Sequence, residues 1–75
     1  MQKVSLERIG EKIREERLKR GLTQNDLGEL LYLHSSRISC MERGEAAGNL
    51  EMLVLIANAL GIDVRMLVEA GIVVC

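Results

Sequence analysis

The chain has no proline, no tryptophan and no phenylalanine, and Tyr32 is its single aromatic residue. Without aromatics a core must be built from aliphatic side chains. Without proline, and without any alternating β-branched run, the sequence favours an all-helical fold. No apolar stretch approaches the roughly 18 to 20 residues needed to span a membrane. The first residues, MQKVSLERIG, lack the apolar segment of a secretory signal, so a cytoplasmic protein is expected. Cysteine and histidine are nearly absent too. Cys40 and Cys75 form no CxxC pair, and with His34 alone they make neither a disulfide framework nor a zinc site. No Ser, His and acid arrangement suggests catalysis, and a short helical chain leaves little room for a substrate cleft. The expectation is therefore no enzyme, no metal, no cofactor and no small-molecule ligand.

A strong excess of one charge is also missing. The net charge is −1, which excludes a broadly basic nucleic-acid binder. The distribution is uneven, however. Residues 1–20 carry seven Lys/Arg against four Glu, whereas residues 21–48 carry two against four acids and residues 49–75 one against three. Glu15–Lys19 and Glu16–Arg20 are opposite charges at i,i+4 spacing, the pattern of a solvated helix face.

What is present is a series of short helical patterns closed by punctuation. At 75 residues the chain is read as one domain, 1–75, close to the size at which a core only just suffices. Gly21, Gly44, Gly61 and Gly71 fall where helices would stop, and Thr23, Asn49 and Asp63 are good N-caps. The patterns predict helices over about 6–20, 24–31, 35–43, 50–60 and 64–70. Leu6, Ile9 and Ile13 share a stripe on the first, whose next position is the charged Arg17. Leu27 and Leu31 face inward on the second, with Leu30 beside them. The fourth, LEMLVLIANAL, is apolar nearly all round and is expected to be central. Val64, Leu67 and Val68 share a face on the fifth, and Met66 lies off it.

Only Tyr32, Leu33 and His34 separate the second and third helices, a connection compatible with a sharp angle, with Leu33 at the corner and the small Gly28 allowing close approach. The third pattern lies in HSSRISCMERGE, residues 34–45. Ile38 and Met41 share one face, and Ser35, Ser36, Arg37, Ser39, Cys40 and Arg43 spread over the rest. A solvated amphipathic helix and a helix whose polar face meets a ligand are both consistent with that spacing.

The stretch LTQNDLGELLYLHSSRISCMERGE resembles the lambda-repressor-like helix-turn-helix family, the phage repressor and Cro (XRE-type) group. Gln24 opens the unit, Leu27, Gly28, Leu31, Leu33, Ile38 and Met41 occupy the family's apolar or small slots, and ISCMERG is similar to its closing signature. GLTQ at 21–24 and LVLIANALGIDVRMLVEAG at 53–71 extend the resemblance to about residues 8–71. It implies a compact five-helix domain with a helix-turn-helix unit at about 24–43 and a C-terminal helix and tail at about 63–75. It further implies a sequence-specific transcriptional regulator that occupies an operator on double-stranded DNA. On this view Ser35, Ser36 and Cys40 face bases with Arg37 next to them, Ser39 shares their helix, and Gln24 and Arg43 contact phosphates. Arg17 and Glu42 are implied as an ion pair between the first and third helices. Three positions depart from the pattern: Tyr32 stands where glycine is usual, His34 replaces a small N-cap, and Glu45-Ala46-Ala47 is not basic.

Several alternatives stay open. Ser35 can serve only as a cap, Gln24 as first-turn filler, and Arg37 and Arg43 as solvated charges. Cys40 and Cys75 invite a thiol switch, though a small side chain at the interface is the simpler reading, and His34 reads as a polar turn residue rather than a pH switch. The fold could also serve as a protein-interaction module, as in an antitoxin or coactivator. The apolar run Val64, Met66, Leu67, Val68, Ile72, Val73, Val74 leads to an expected homodimer through the fifth helix and tail, against the possibility that the tail folds back.

Overall fold

The computed structural model describes residues 2–45 and 49–74. Helix α1 spans Leu6–Lys19, α2 Gln24–Leu31, α3 Ser35–Glu42, α4 Leu50–Leu60 and α5 Val64–Gly71. Each starts at a side chain that accepts from a backbone N–H of the first turn. Ser5 does this for α1, Thr23 for α2, His34 for α3, Asn49 for α4 and Asp63 for α5. At Thr23 the arrangement is reciprocal: Asp26 N–H donates to Thr23 Oγ1 and Thr23 N–H to Asp26 Oδ2, both at 2.9 Å. The bond from Thr23 N–H, with help from the Thr23 hydroxyl, holds the Asp26 carboxyl below its usual range.

Five helices enclose one core of Ile9, Ile13, Leu27, Ile38, Met41, Ile56, Ala57, Leu60 and Leu67, to which every helix contributes. The apolar α4 is not its centre. Ile56, Ala57 and Leu60 are buried, but Leu50 and Leu55 are exposed, so only one side of α4 faces inward. Leu6 also departs from its stripe and is exposed, because it lies in the first turn, beyond the end of the core.

The fold is not helical throughout. Strand β1, Gln2–Val4, pairs antiparallel with β2, Ile72–Val74, in the register Gln2↔Val74, Lys3↔Val73, Val4↔Ile72. Ser5 N–H donates to Gly71 O at 2.6 Å and extends the pairing to the foot of α1. The tail therefore folds back on its own chain. Strands of three residues are too short to show a period of two, which is why the pattern predicted none. Gly71 is not a cap but the last residue of α5, and its missing Cβ makes room for Ile9, whose Cγ1 would lie 2.5 Å from such an atom. No helix among the described residues is long and apolar enough to cross a membrane. Cys75, Ala46 and Ala47 lie outside the described residues.

Candidate nucleic-acid interface

Helices α2 and α3 are joined by a turn at Tyr32, whose φ of 57° is the one positive value outside glycine among the described residues. Its N–H closes the last turn of α2 on Glu29 O at 3.4 Å, and Leu33 N–H follows on Gly28 O at 2.8 Å. The crowding at Gly28 comes from this turn rather than from α3: a Cβ there would sit 2.5 Å from Leu33 O. Leu33 tucks against the core while the Tyr32 ring is 96% exposed.

The inner side of α3 is fixed by three residues. Ile38 and Met41 are buried in the core, and Glu42 faces the end of α1. Arg17 Nε donates to Glu42 Oε2 at 2.7 Å and Nη2 to Oε1 at 3.0 Å, a two-pronged pair with both side chains buried. The third arm, Arg17 Nη1, donates to Leu22 O at 2.7 Å, and Gln24 Nε2 donates to Glu42 Oε1 at 3.2 Å. Hydrogen bonding to Glu42 raises the Arg17 pKa further above its ordinary value, against the opposing effect of burial. The Arg17–Glu42 pair thus gathers α1, the α1–α2 loop and α2 behind α3. Close backbone approach allows this: a Cβ on Gly10 would lie 2.5 Å from Met41 O and 2.7 Å from Glu42 C.

The outer side is polar and partly wired to itself. Ser36 N–H donates to His34 Nδ1 at 3.1 Å, and Ser36 Oγ lies 2.8 Å from the same nitrogen. At the other end Arg43 Nη2 donates to Glu45 Oε2 at 2.8 Å and to Cys40 Sγ at 3.5 Å, while Nη1 donates to Ser39 Oγ. The bonds to Glu45 raise the Arg43 pKa and hold the Glu45 carboxyl below its usual range. Arg37 is exposed and, among the described residues, makes no ion pair or side-chain hydrogen bond. Ser35 is half-buried and Ser36 exposed, so the three residues form a small open polar surface at the start of α3.

Of the residues singled out in the sequence, Ser35, Ser36, Arg37, Ser39, Cys40 and Arg43 lie on α3 or its cap, and Gln24 opens α2 beside them. Gln24 is turned toward Glu42 rather than outward. Arg43 is occupied by Glu45, a partner that the loop's acidic character could have suggested. His34 stands at the N-cap position where the resemblance puts it, and it both caps α3 and touches the Ser36 hydroxyl. The contact with the Ser36 hydroxyl had no signal in the sequence.

A helix-turn-helix family model matches residues 13–67. No curated protein matches the chain. Among solved structures, the restriction-modification controller protein C.AhdI from Aeromonas hydrophila is similar at 35% identity, covering 83% of this chain and 94% of its own, with a TM-score of 0.78. The P22 c2 repressor, solved in complex with a synthetic operator, is 32% identical over 83% of this chain and 94% of its own, with a TM-score of 0.77. The clp gene regulator ClgR from C. glutamicum is 26% identical over 92% and 90%, with a TM-score of 0.83.

Proposed function

The chain belongs to the helix-turn-helix family, and from that premise we propose that α3 is the recognition helix of a regulator that acts by occupying an operator. The protein is a DNA-binding transcriptional regulator with a lambda-repressor-like fold. The observation that carries the rest is the contrast between the two sides of α3. Its inner side is held by Ile38, Met41 and the Glu42 cluster, while the half-buried Ser35, the exposed Ser36 and an Arg37 that is unpaired among the described residues lie on the other side at its N-terminal end. A rigid inner side gives side chains on the outer side fixed positions in a major groove.

Arg37 is the strongest reader in that set, because its planar fork matches guanine O6 and N7. Ser35, Ser36 and Cys40 add weaker contacts to base edges. Gln24 keeps one amide hydrogen for a phosphate while it holds Glu42, and Ser39 and Arg43 meet the backbone once Arg43 exchanges Glu45 for a phosphate. The mode of action is binding, not catalysis, in the cytoplasm. Operator occupancy is proposed for a homodimer, with half-sites about 10 bp (roughly 34 Å) apart. Because the tail is taken up by β1, the dimer surface falls to the apolar groups exposed on α4 and α5, Leu50, Leu55 and Met66.

A second reading, docking of a partner protein, rests on Leu30 and Tyr32, which are 56% and 96% exposed beside the turn. Fluorescence titration of labelled duplex DNA at low and high salt separates the two. A DNA reader binds tightly at low salt and loses affinity linearly on a log–log plot as salt rises. Arg37→Ala is expected to weaken a selected site by about 1–3 kcal/mol, relax one base pair and leave the salt slope nearly unchanged. No binding to any duplex at low salt would favour the docking reading.

A further inference from the structure

The cap at the start of α3 determines which hydrogens its serines can offer. Ser36 N–H can only donate, and it points at His34 Nδ1 from 3.1 Å, so that nitrogen carries a lone pair and the ring hydrogen sits on Nε2. Ser36 Oγ lies 2.8 Å from the same Nδ1. Two acceptors do not rest at that distance, so the Ser36 hydroxyl hydrogen points at Nδ1 as well. What Ser36 presents outward is then lone pairs alone. An unrestrained serine can donate to a keto group or accept from an amino group, and so reads bases ambiguously. This one has lost the first option.

We propose that His34 is a positioning residue for specificity: by holding the Ser36 hydroxyl hydrogen, it makes Ser36 an acceptor that prefers an amino base, adenine or cytosine, over a keto base, guanine or thymine, at one position of the operator. In the major groove adenine N6 and cytosine N4 are the donors, and guanine O6 and thymine O4 are acceptors. The inference rests on the reading of α3 as the recognition helix. Arg37 beside it reads by donating, so the two neighbours ask for opposite chemistry from adjacent bases.

Selection of binding sites from a random duplex library tests this with four proteins. The native chain is expected to enrich sites with adenine or cytosine at one position by about three- to tenfold, the discrimination one neutral hydrogen bond supplies. Ser36→Ala should erase that preference and leave the other positions unchanged. His34→Ala should widen it to all four bases, because the hydroxyl is released. His34→Asn should restore it, since an amide oxygen can cap the helix and accept the hydroxyl in place of Nδ1. Circular dichroism shows whether His34→Ala remains folded, and if it does not, the Ser36→Ala and His34→Asn pair decides. A keto preference that Ser36→Ala removes, or a set of preferences identical in the native, Ser36→Ala and His34→Ala proteins, overturns the proposal. A native chain that enriches no sequence at all overturns the DNA-binding reading and this inference with it, a result readily told from the other two.

Discussion

Glu16 and Glu42 are the two buried carboxylates among the described residues, 4% and 7% exposed, and each sits in a cluster of cations or amides. Their partners come from opposite sources. Glu16 is met by Lys12 at 3.3 Å and by Lys19 and Arg20 at 3.1 Å each, all within one turn of α1 or its cap. Glu42 is met by Arg17, 25 residues away, and by Gln24, 18 away. The first cluster could form on α1 alone and ties nothing to anything else. The second exists only when α1, α2 and α3 are assembled, and it sets how the outward side of α3 is presented. Burial does not distinguish them; the sequence separation of the partners does.

Breaking one side of the long-range cluster is expected to have the largest effect. Glu42→Ala leaves Arg17 buried without its partner and should cost about 3–5 kcal/mol, read as a shift of the urea midpoint. The double variant Arg17→Met/Glu42→Leu removes both charges and should lie within about 1 kcal/mol of the native protein or exceed it, because no charge is then left unpaired. If the double variant were as unstable as the single one, the pair would be contributing more than mutual compensation. Gly10→Ala tests the close approach that makes the cluster possible. Its Cβ would press on the backbone of α3 at Met41 and Glu42, and a cost of about 1–3 kcal/mol is expected.

The local cluster should respond to conditions instead. Hydrogen bonding to Lys19, with help from Arg20 and Lys12 and against the cost of burial, lowers the Glu16 pKa from 4.5 to about 2. The folded state therefore binds this proton more weakly than the unfolded chain does. The resulting stability is present above about pH 4.5 and is lost as pH falls toward 2. Asp63, lowered from 3.8 to about 2 chiefly by its bond to Arg65, acts in the lower part of that window. Glu16→Gln should flatten part of the acid limb of a stability–pH curve and leave the Asp63 part. Added salt should weaken the Glu16 cluster, whose Lys19 arm is largely exposed, more than the Arg17–Glu42 pair. An acid limb unchanged by Glu16→Gln would remove the distinction.

The smallest effect is expected at a site outside both clusters. Tyr32 holds a left-handed backbone that disfavours side chains with a Cβ, so Tyr32→Gly should stabilise the fold by up to about 1 kcal/mol in thermal unfolding. Its effect on partner binding is then a separate measurement, since the ring is almost fully exposed.

How far the sequence reached follows the same division between local and distant. Helix limits were legible because caps such as Thr23, Asn49 and Asp63 act within one turn. The i,i+4 pairs of α1 were legible too, with Lys19–Glu15 at 3.6 Å and Arg20–Glu16 at 3.1 Å. That Glu16 is buried was not, because a charge pattern shows which partners a carboxylate can reach and not how far it is covered. Arg17 could be noticed as a charge on an apolar stripe, but its partner needed the family resemblance. The pairing of β1 with β2 joins residues about seventy positions apart in strands too short to show alternation. In the interface, residue types on α3 could be read off directly, whereas the wiring of Arg43 to Glu45 and of Ser36 to His34 depends on rotamers that no spacing specifies.

That strand pair has a mechanical consequence. Gln2 lies opposite Val74, so a load applied across these two residues pulls the strands apart from one end. The backbone bonds then break one pair at a time rather than all together, which is the weak direction of an antiparallel ladder. Tension entering from anything joined to the two ends would open β1 and β2 first and lengthen the chain before it reached α1 or α5. The strands would act as a sacrificial link, and optical-tweezer traces should show a small early extension before the helical core gives way.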